Sequence, residues 1–235
     1  MPPDGDTPAA LPLRVATWNI HSGIGRDRRY DAARIIAVLR ELRADVIALQ
    51  EVASLAEHGE FLTEVRAALG MSIAAGPTHR EGEYGNALLS RYPQTDVRRL
   101  DLAWRRTEPR GAIDATLDIG GRTVRVMTTH LGLRPAERRD QVRRLLAAID
   151  AGTPSPLILM GDVNEWFLWG RPARWLHRDF HARPAPATFP AWRPLLALDR
   201  IWVRPMRLLR HLAPHATPLA RVASDHLPLV ADLVL

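Results

Sequence analysis

The chain has no cysteine in its 235 residues, which removes disulfide frameworks, thiolate zinc sites and cysteine nucleophiles from consideration. Lysine is missing too: all 32 basic residues are arginine. No apolar run approaches the ~20 residues that a membrane-spanning helix needs. The stretch from Met1 to Pro12 is proline-rich and acidic, without the basic start and apolar centre of a secretory signal. The expectation is a soluble, cytoplasmic, monomeric protein with no obligate protein partner. Residues 1–12 form a flexible tail, and 13–235 form one domain large enough to bury a core unaided.

A net charge of +6 and a pI near 10.9 favour a polyanionic partner, and the guanidinium fork suits phosphate. Exclusive use of arginine with abundant Ala and Pro is also the composition of a GC-rich genome. A solvated surface therefore explains the charge as well as a nucleic acid does.

"RVATWNI" (14–20) has the pattern of a strand, and Asp31 opens a helix with Ile35, Leu39 and Leu42 on one face. "DVIALQE" (45–51) is a short apolar run, hence a buried strand; 60–69 predicts a helix and 86–92 a further strand. Gly120-Gly121 separates two alternating stretches, a hairpin signal. Pro135 starts a helix with Val142, Leu145, Leu146 and Ile149 as its apolar stripe. Strands over 156–164, 197–203 and 228–235 complete a layered α/β arrangement with mixed sheets.

Polar side chains suited to catalysis recur at the strand ends. Asn19 follows "VATW", Glu51 follows "VIALQ", His130 follows "VMTT", and Asp162 and Asn164 follow "LILMG". Asp199 precedes "RIWV", and Asp225-His226 precede the last strand. Each has a structural alternative, such as Asp162 capping a turn or Asn164 forming an Asx-turn. If neighbouring strands run in opposite directions where the polar group comes first, however, all of these residues meet on one rim.

"TWNIH", "LQE", "YGNALLS", "TTHL", "GDVN", "LDRI" and "SDHLP" together resemble the motifs, in order, of the endonuclease/exonuclease/phosphatase superfamily. That superfamily includes deoxyribonuclease I, abasic-site endonucleases, neutral sphingomyelinases and inositol-polyphosphate 5-phosphatases. The resemblance implies a four-layered α/β sandwich, two mixed β-sheets packed face to face with helices outside. It makes Glu51 the principal ligand of Mg²⁺, for which Mn²⁺ can substitute, with Asn19 beside it and Asp225 as a second contact. Asp162 would orient and deprotonate the attacking water. Asn164 would hold Asp162 and touch the phosphate, and His130 would donate to a phosphate oxygen. His226, backed by Asp199, would stabilise the transition state, and Arg110 in "TEPRGAI" would lie near the phosphate. Hard oxygen donors suit Mg²⁺, and a phosphodiester needs its charge neutralised before water can attack.

This chain departs from the abasic-site enzymes in two places. His21 stands where they commonly carry an acid, and His130 where they carry Tyr. Both point toward the deoxyribonuclease I and phosphoesterase side. "GIGRDR" (23–28) lacks the third glycine of a dinucleotide loop and is read as a surface loop.

Substrate choice turns on 165–194, where Trp166, Trp169, Trp175 and Trp192 alternate with Arg171, Arg174, Arg178, Arg183 and Arg193. Such a segment can stack nucleic acid, sit at a membrane interface or simply pack a helix. Trp169, Arg171 and Arg193 are the candidate substrate contacts. The expectation is a phosphodiester hydrolase, with a nuclease acting on DNA slightly favoured. The alternatives are a phosphodiesterase on an anionic phospholipid surface, a phosphomonoesterase, and a binding protein that keeps the fold without the activity; the intact polar set argues against the last.

Overall fold

Along the first strand Leu13 and Val15 face one way and Ala16 and Trp18 the other, and this two-sided burial builds the layers. In the computed structural model, residues 10–52, 61–76, 85–152, 156–167, 170–182 and 184–235 are described. The strands are β1 (Pro12–Asn19), β2 (Val46–Val52), β3 (Ser72–Ala75), β4 (Gly85–Ser90), β5 (Gln94–Asp101), β6 (Gly111–Ile119), β7 (Arg122–His130), β8 (Leu157–Asp162), β9 (Asp199–Arg204), β10 (Leu209–Pro214) and β11 (Leu229–Val234). The helices are α1 (Ala32–Leu42), α2 (Phe61–Leu69), α3 (Pro135–Asp150), α4 (Arg171–Phe180) and the single turn α5 (Ala220–Ala223).

One sheet has six strands in the order β10-β11-β1-β2-β4-β3, and the other five, β5-β6-β7-β8-β9. Both are mixed, with parallel pairs β1–β2 and β7–β8. Val15, Val46, Ala48, Ile113, Val126, Ile158 and Ala231 fill the space between the sheets. The helices α1, α2 and α5 cover the outside of the larger sheet, while α3 and α4 cover the smaller. This is the expected four-layered sandwich.

Local chemistry sets the element ends. Asp31 caps α1 by accepting from the Arg34 backbone N–H at 2.8 Å. Gly120 and Gly121 both have positive φ, 58° and 79°, as a two-residue hairpin turn of this hand requires. Pro12 belongs to β1, and Leu11 exchanges two backbone hydrogen bonds with Leu235. Ordered chain thus reaches back into the segment read as a tail; residues 1–9 lie outside the described set.

One buried ion pair ties the smaller sheet to its helix layer. Arg125 holds both oxygens of Asp114, at 2.8 and 2.7 Å, and also donates to the carbonyls of Ile149 and Ala148 at the end of α3. Asp114→Ala would leave a guanidinium buried without its counter-ion, a change that costs about 3–5 kcal/mol. The expected result is a much lower denaturant midpoint with unchanged kinetic constants; an unchanged midpoint would show that the pair does not hold the layers together.

Candidate active site

Topology brings the polar strand ends together. The parallel pairs place Asn19 and Glu51 at one end of the larger sheet and His130 and Asp162 at the same end of the smaller. Because β9 runs antiparallel to β8, Asp199 pairs directly with Asp162. Because β11 runs antiparallel to β1, the Asp225-His226 pair enters at the same rim.

Two of these residues reach the site through unusual backbone. Strict alternation would turn Glu51 outward with Ile47 and Leu49. A register shift between Leu49 and Val52 and a φ of +53° at Glu51 instead bring its carboxylate to Asn19. Asn164 has φ +50°. Such conformations cost of order 1–3 kcal/mol each, and they concentrate at functional sites. Gly161, just before Asp162, has φ +149°, and a Cβ there would lie 1.9 Å from the Thr129 carbonyl oxygen. The "GD" step is therefore imposed by the close approach of β7 and β8.

Asp162 is the hub. Its Oδ1 accepts from the Asn164 backbone N–H at 2.9 Å, and its Oδ2 accepts from Asn19 Nδ2 at 3.1 Å. His130 Nε2 lies 3.6 Å and His226 Nε2 3.7 Å from the same Oδ2. Asn19 Nδ2 also donates to Glu51 Oε1 at 2.8 Å, so one amide bridges two carboxylates. Its oxygen accepts from the His21 N–H at 3.0 Å. Asn19, expected as a cation ligand, bridges the two carboxylates through its nitrogen, while its oxygen accepts one hydrogen bond and keeps a second lone pair. The expected hold of Asn164 on Asp162 is likewise made by its backbone. The Asn164 side chain donates to the Leu131 carbonyl at 2.8 Å and lies 3.0 Å from His130 Nε2.

Arg110 is buried, with a terminal nitrogen 2.9 Å from His130 Nδ1 and the other 2.7 Å from Glu108. A guanidinium only donates, so Nδ1 faces a donor, while Nε2 lies between the Asn164 amide nitrogen and the Asp162 carboxylate. Arg110 also borders a cleft of about 310 Å³ lined by Arg106, Thr107 and Arg134.

His226 Nδ1 lies 2.8 Å from Asp199 Oδ2. Burial alone would lower the imidazole pKa, but Asp199 and Asp162 outweigh it and push it up to about 10. Thr188 donates to Asp199 Oδ2 at 2.5 Å, and Trp18 Nε1 donates to the His226 carbonyl at 2.9 Å. Asp199 makes no salt bridge with the arginines next to it in the chain: Arg204 pairs with Asp179 at 3.1 Å, and Arg200 reaches only the Asp199 backbone carbonyl at 3.3 Å.

Thr188, Phe189 and Trp18 were not singled out from the sequence. Phe189 packs 4.8 Å from the His226 ring. The only signal for Trp18 was its place beside Asn19 in "TWN".

Asp162, Asp199 and His226 place ligand-type atoms within 4.8 Å of one another, yet Asp199 Oδ2 is committed to two hydrogen bonds. A hard cation fits better at Glu51, where burial, Asp162 and Asp225 all raise the carboxyl pKa. The oxygen donors of Glu51 and Asp225 would hold it and relieve that repulsion.

The segment 165–194 divides in two. The helix α4 buries Ala173, Leu176 and Phe180, and Trp175 packs beside them with Arg143 5.3 Å from its ring, so packing explains this part. Trp166 and Trp192 are instead half exposed, and Arg171 and Arg193 face solvent. Trp169 and Arg183 lie outside the described residues.

Residues 16–226 match the model of the endonuclease/exonuclease/phosphatase family. The uncharacterized protein YbhP of Escherichia coli K12 is 32% identical over 249 residues, covering 95% of this chain and 96% of that protein. The human Nocturnin catalytic domain superposes with a TM-score of 0.73 at 24% identity, covering 94% of this chain and 93% of that one. A mannosyl-6-phosphatase of Bacteroides thetaiotaomicron superposes at 0.75 with 15% identity, covering 95% and 99%. The chain belongs to the endonuclease/exonuclease/phosphatase family, whose members hydrolyse phosphoester bonds.

Proposed function

We propose that this chain is a Mg²⁺-dependent phosphodiester hydrolase. The reading rests on one observation: the Asp162 carboxylate lies between two imidazoles and is tied through Asn19 to Glu51. Asp162 takes a proton from the attacking water. His226, held protonated by Asp199, donates to the phosphoryl oxygens as charge builds on them. His130, oriented by Arg110, and Asn164 hold the phosphoryl group in line. Mg²⁺ bound at Glu51 and Asp225 would supply charge neutralisation at the phosphate and leaving oxygen. The basic surface suits a nucleic acid strand, whereas the exposed apolar residues beside the site suit a phospholipid surface.

A parallel screen tests this: bis-(4-nitrophenyl) phosphate, plasmid DNA, abasic oligonucleotide and phospholipid vesicles, each with Mg²⁺, Mn²⁺ or EDTA. Hydrolysis of the small diester in Mg²⁺ and its loss in EDTA are expected. Full activity in EDTA would remove the metal-centred reading.

Glu51→Gln separates stability from function. The raised Glu51 pKa means that the charged carboxylate destabilises the metal-free protein, and that this penalty eases as pH falls toward that pKa. The variant is expected to melt slightly higher than wild type in EDTA, yet to lose the rise in Tm that Mg²⁺ gives wild type. Its turnover should fall far more at sub-millimolar than at high Mg²⁺. A retained Mg²⁺-dependent rise in Tm would place the cation elsewhere.

A further inference from the structure

Among the described residues, the large hydrophobic ones exposed by more than half are Leu133 at 63%, Phe167 at 65%, Trp192 at 56% and Leu195 at 69%. Scattered singly, such residues are ordinary. Here each belongs to a loop that carries or adjoins the site. Leu133 is in the loop that follows His130, Phe167 closely follows Asn164, and Leu195 shortly precedes Asp199. Trp192 is at the tip of the turn closed by Phe189 and Leu196.

Each also has an arginine close by in the chain. Arg134 follows Leu133, Arg171 opens the helix after Phe167, and Arg193 follows Trp192. These three are exposed and form no ion pair among the described residues.

We infer that this rim is a membrane-docking face, its Leu, Phe and Trp tips entering the headgroup layer and its arginines meeting anionic phospholipid. Leucine discriminates between the candidate partners. A nucleic acid rewards aromatic faces and cations, but Leu133 and Leu195 have no π face, no donor and no charge. A hydrocarbon environment rewards covering them, and a nucleic acid does not. Trp192 and Phe167 suit the interface itself, and each arginine near an anionic surface strengthens partitioning about fivefold.

The docking face adjoins the paired His226 and Asp199. Trp166 meets Phe189 edge-on at 5.9 Å, and Phe189 packs 4.8 Å from His226. A docked molecule would therefore present its reaction centre at headgroup depth. The corollary, that the scissile bond is a phospholipid phosphodiester, rests on the phosphodiesterase reading; the docking itself does not.

The test is co-sedimentation of the full chain with phosphatidylcholine vesicles, with and without about 30% phosphatidylglycerol, beside binding of a single-stranded oligonucleotide. Wild type is expected to bind the anionic vesicles and to release them in high salt. The double variant Leu133→Ser/Leu195→Ser is expected to lose at least about tenfold in partitioning, with oligonucleotide binding and turnover of bis-(4-nitrophenyl) phosphate unchanged. That turnover also reports that the variant is folded. No association of wild type with anionic vesicles, or equal binding by the variant, overturns the inference. Loss of oligonucleotide binding alone assigns the rim to nucleic acid and overturns it as well. Vesicle binding by a wild type inert toward the small diester would sink the phosphodiesterase reading and leave docking standing.

Discussion

Asp162→Asn is expected to lower kcat by about a thousandfold while leaving KM close to wild type. The substitution keeps the shape of the side chain, and the Asn164 N–H can still donate to the remaining amide oxygen. What disappears is the carboxylate oxygen that accepts from Asn19 Nδ2 at 3.1 Å and faces His130 and His226 at 3.6 and 3.7 Å. An amide NH₂ in that position meets the Asn19 and His226 donors and cannot take a proton from water. A group that works only as the water is deprotonated affects kcat and kcat/KM equally. Single-turnover measurements at saturating Mg²⁺ check this. A loss below tenfold would leave Asp162 as scaffolding and move the base elsewhere.

The layers and the rim were legible in the sequence because buried strands carry dense apolar signals. β1, β2, β7 and β8 have continuous buried runs ending in polar residues. The strands missed were β3, β5 and β10, and all three are sheet edges. Edge strands need no two-sided apolar pattern and carry features that block further pairing. β5 is mostly exposed and holds Arg98 and Arg99, and β10 ends in Pro214.

Within the site, the residues at strand ends were legible and their geometry was not. Nothing in "LQE" reveals that Glu51 leaves the strand alternation through a positive φ, or that the Asn19 amide bridges Glu51 and Asp162. Thr188 and Phe189 lie in an irregular stretch where no period exists to betray a buried partner. Their roles depend on a chain path that only the folded structure defines.

His226→Ala and Asp199→Ala are each expected to cost about a hundredfold to ten-thousandfold in kcat, and the double variant scarcely more than His226→Ala alone. The 2.8 Å contact makes the two residues one device. Asp199 acts by holding the imidazole charged and aimed, so without the imidazole it has nothing left to contribute. The same pairing predicts a pH signature in the metal-free protein. The folded pKa of His226, about 10, lies above the ordinary 6.5, so the pair stabilises the fold fully below the unfolded value. That stability is lost as pH rises through about 10. The Tm difference between wild type and Asp199→Asn, measured in EDTA, should be largest at and below neutral pH and shrink toward pH 10. Additive kinetic losses in the double variant, or a Tm difference that ignores pH, would mean that Asp199 and His226 act separately.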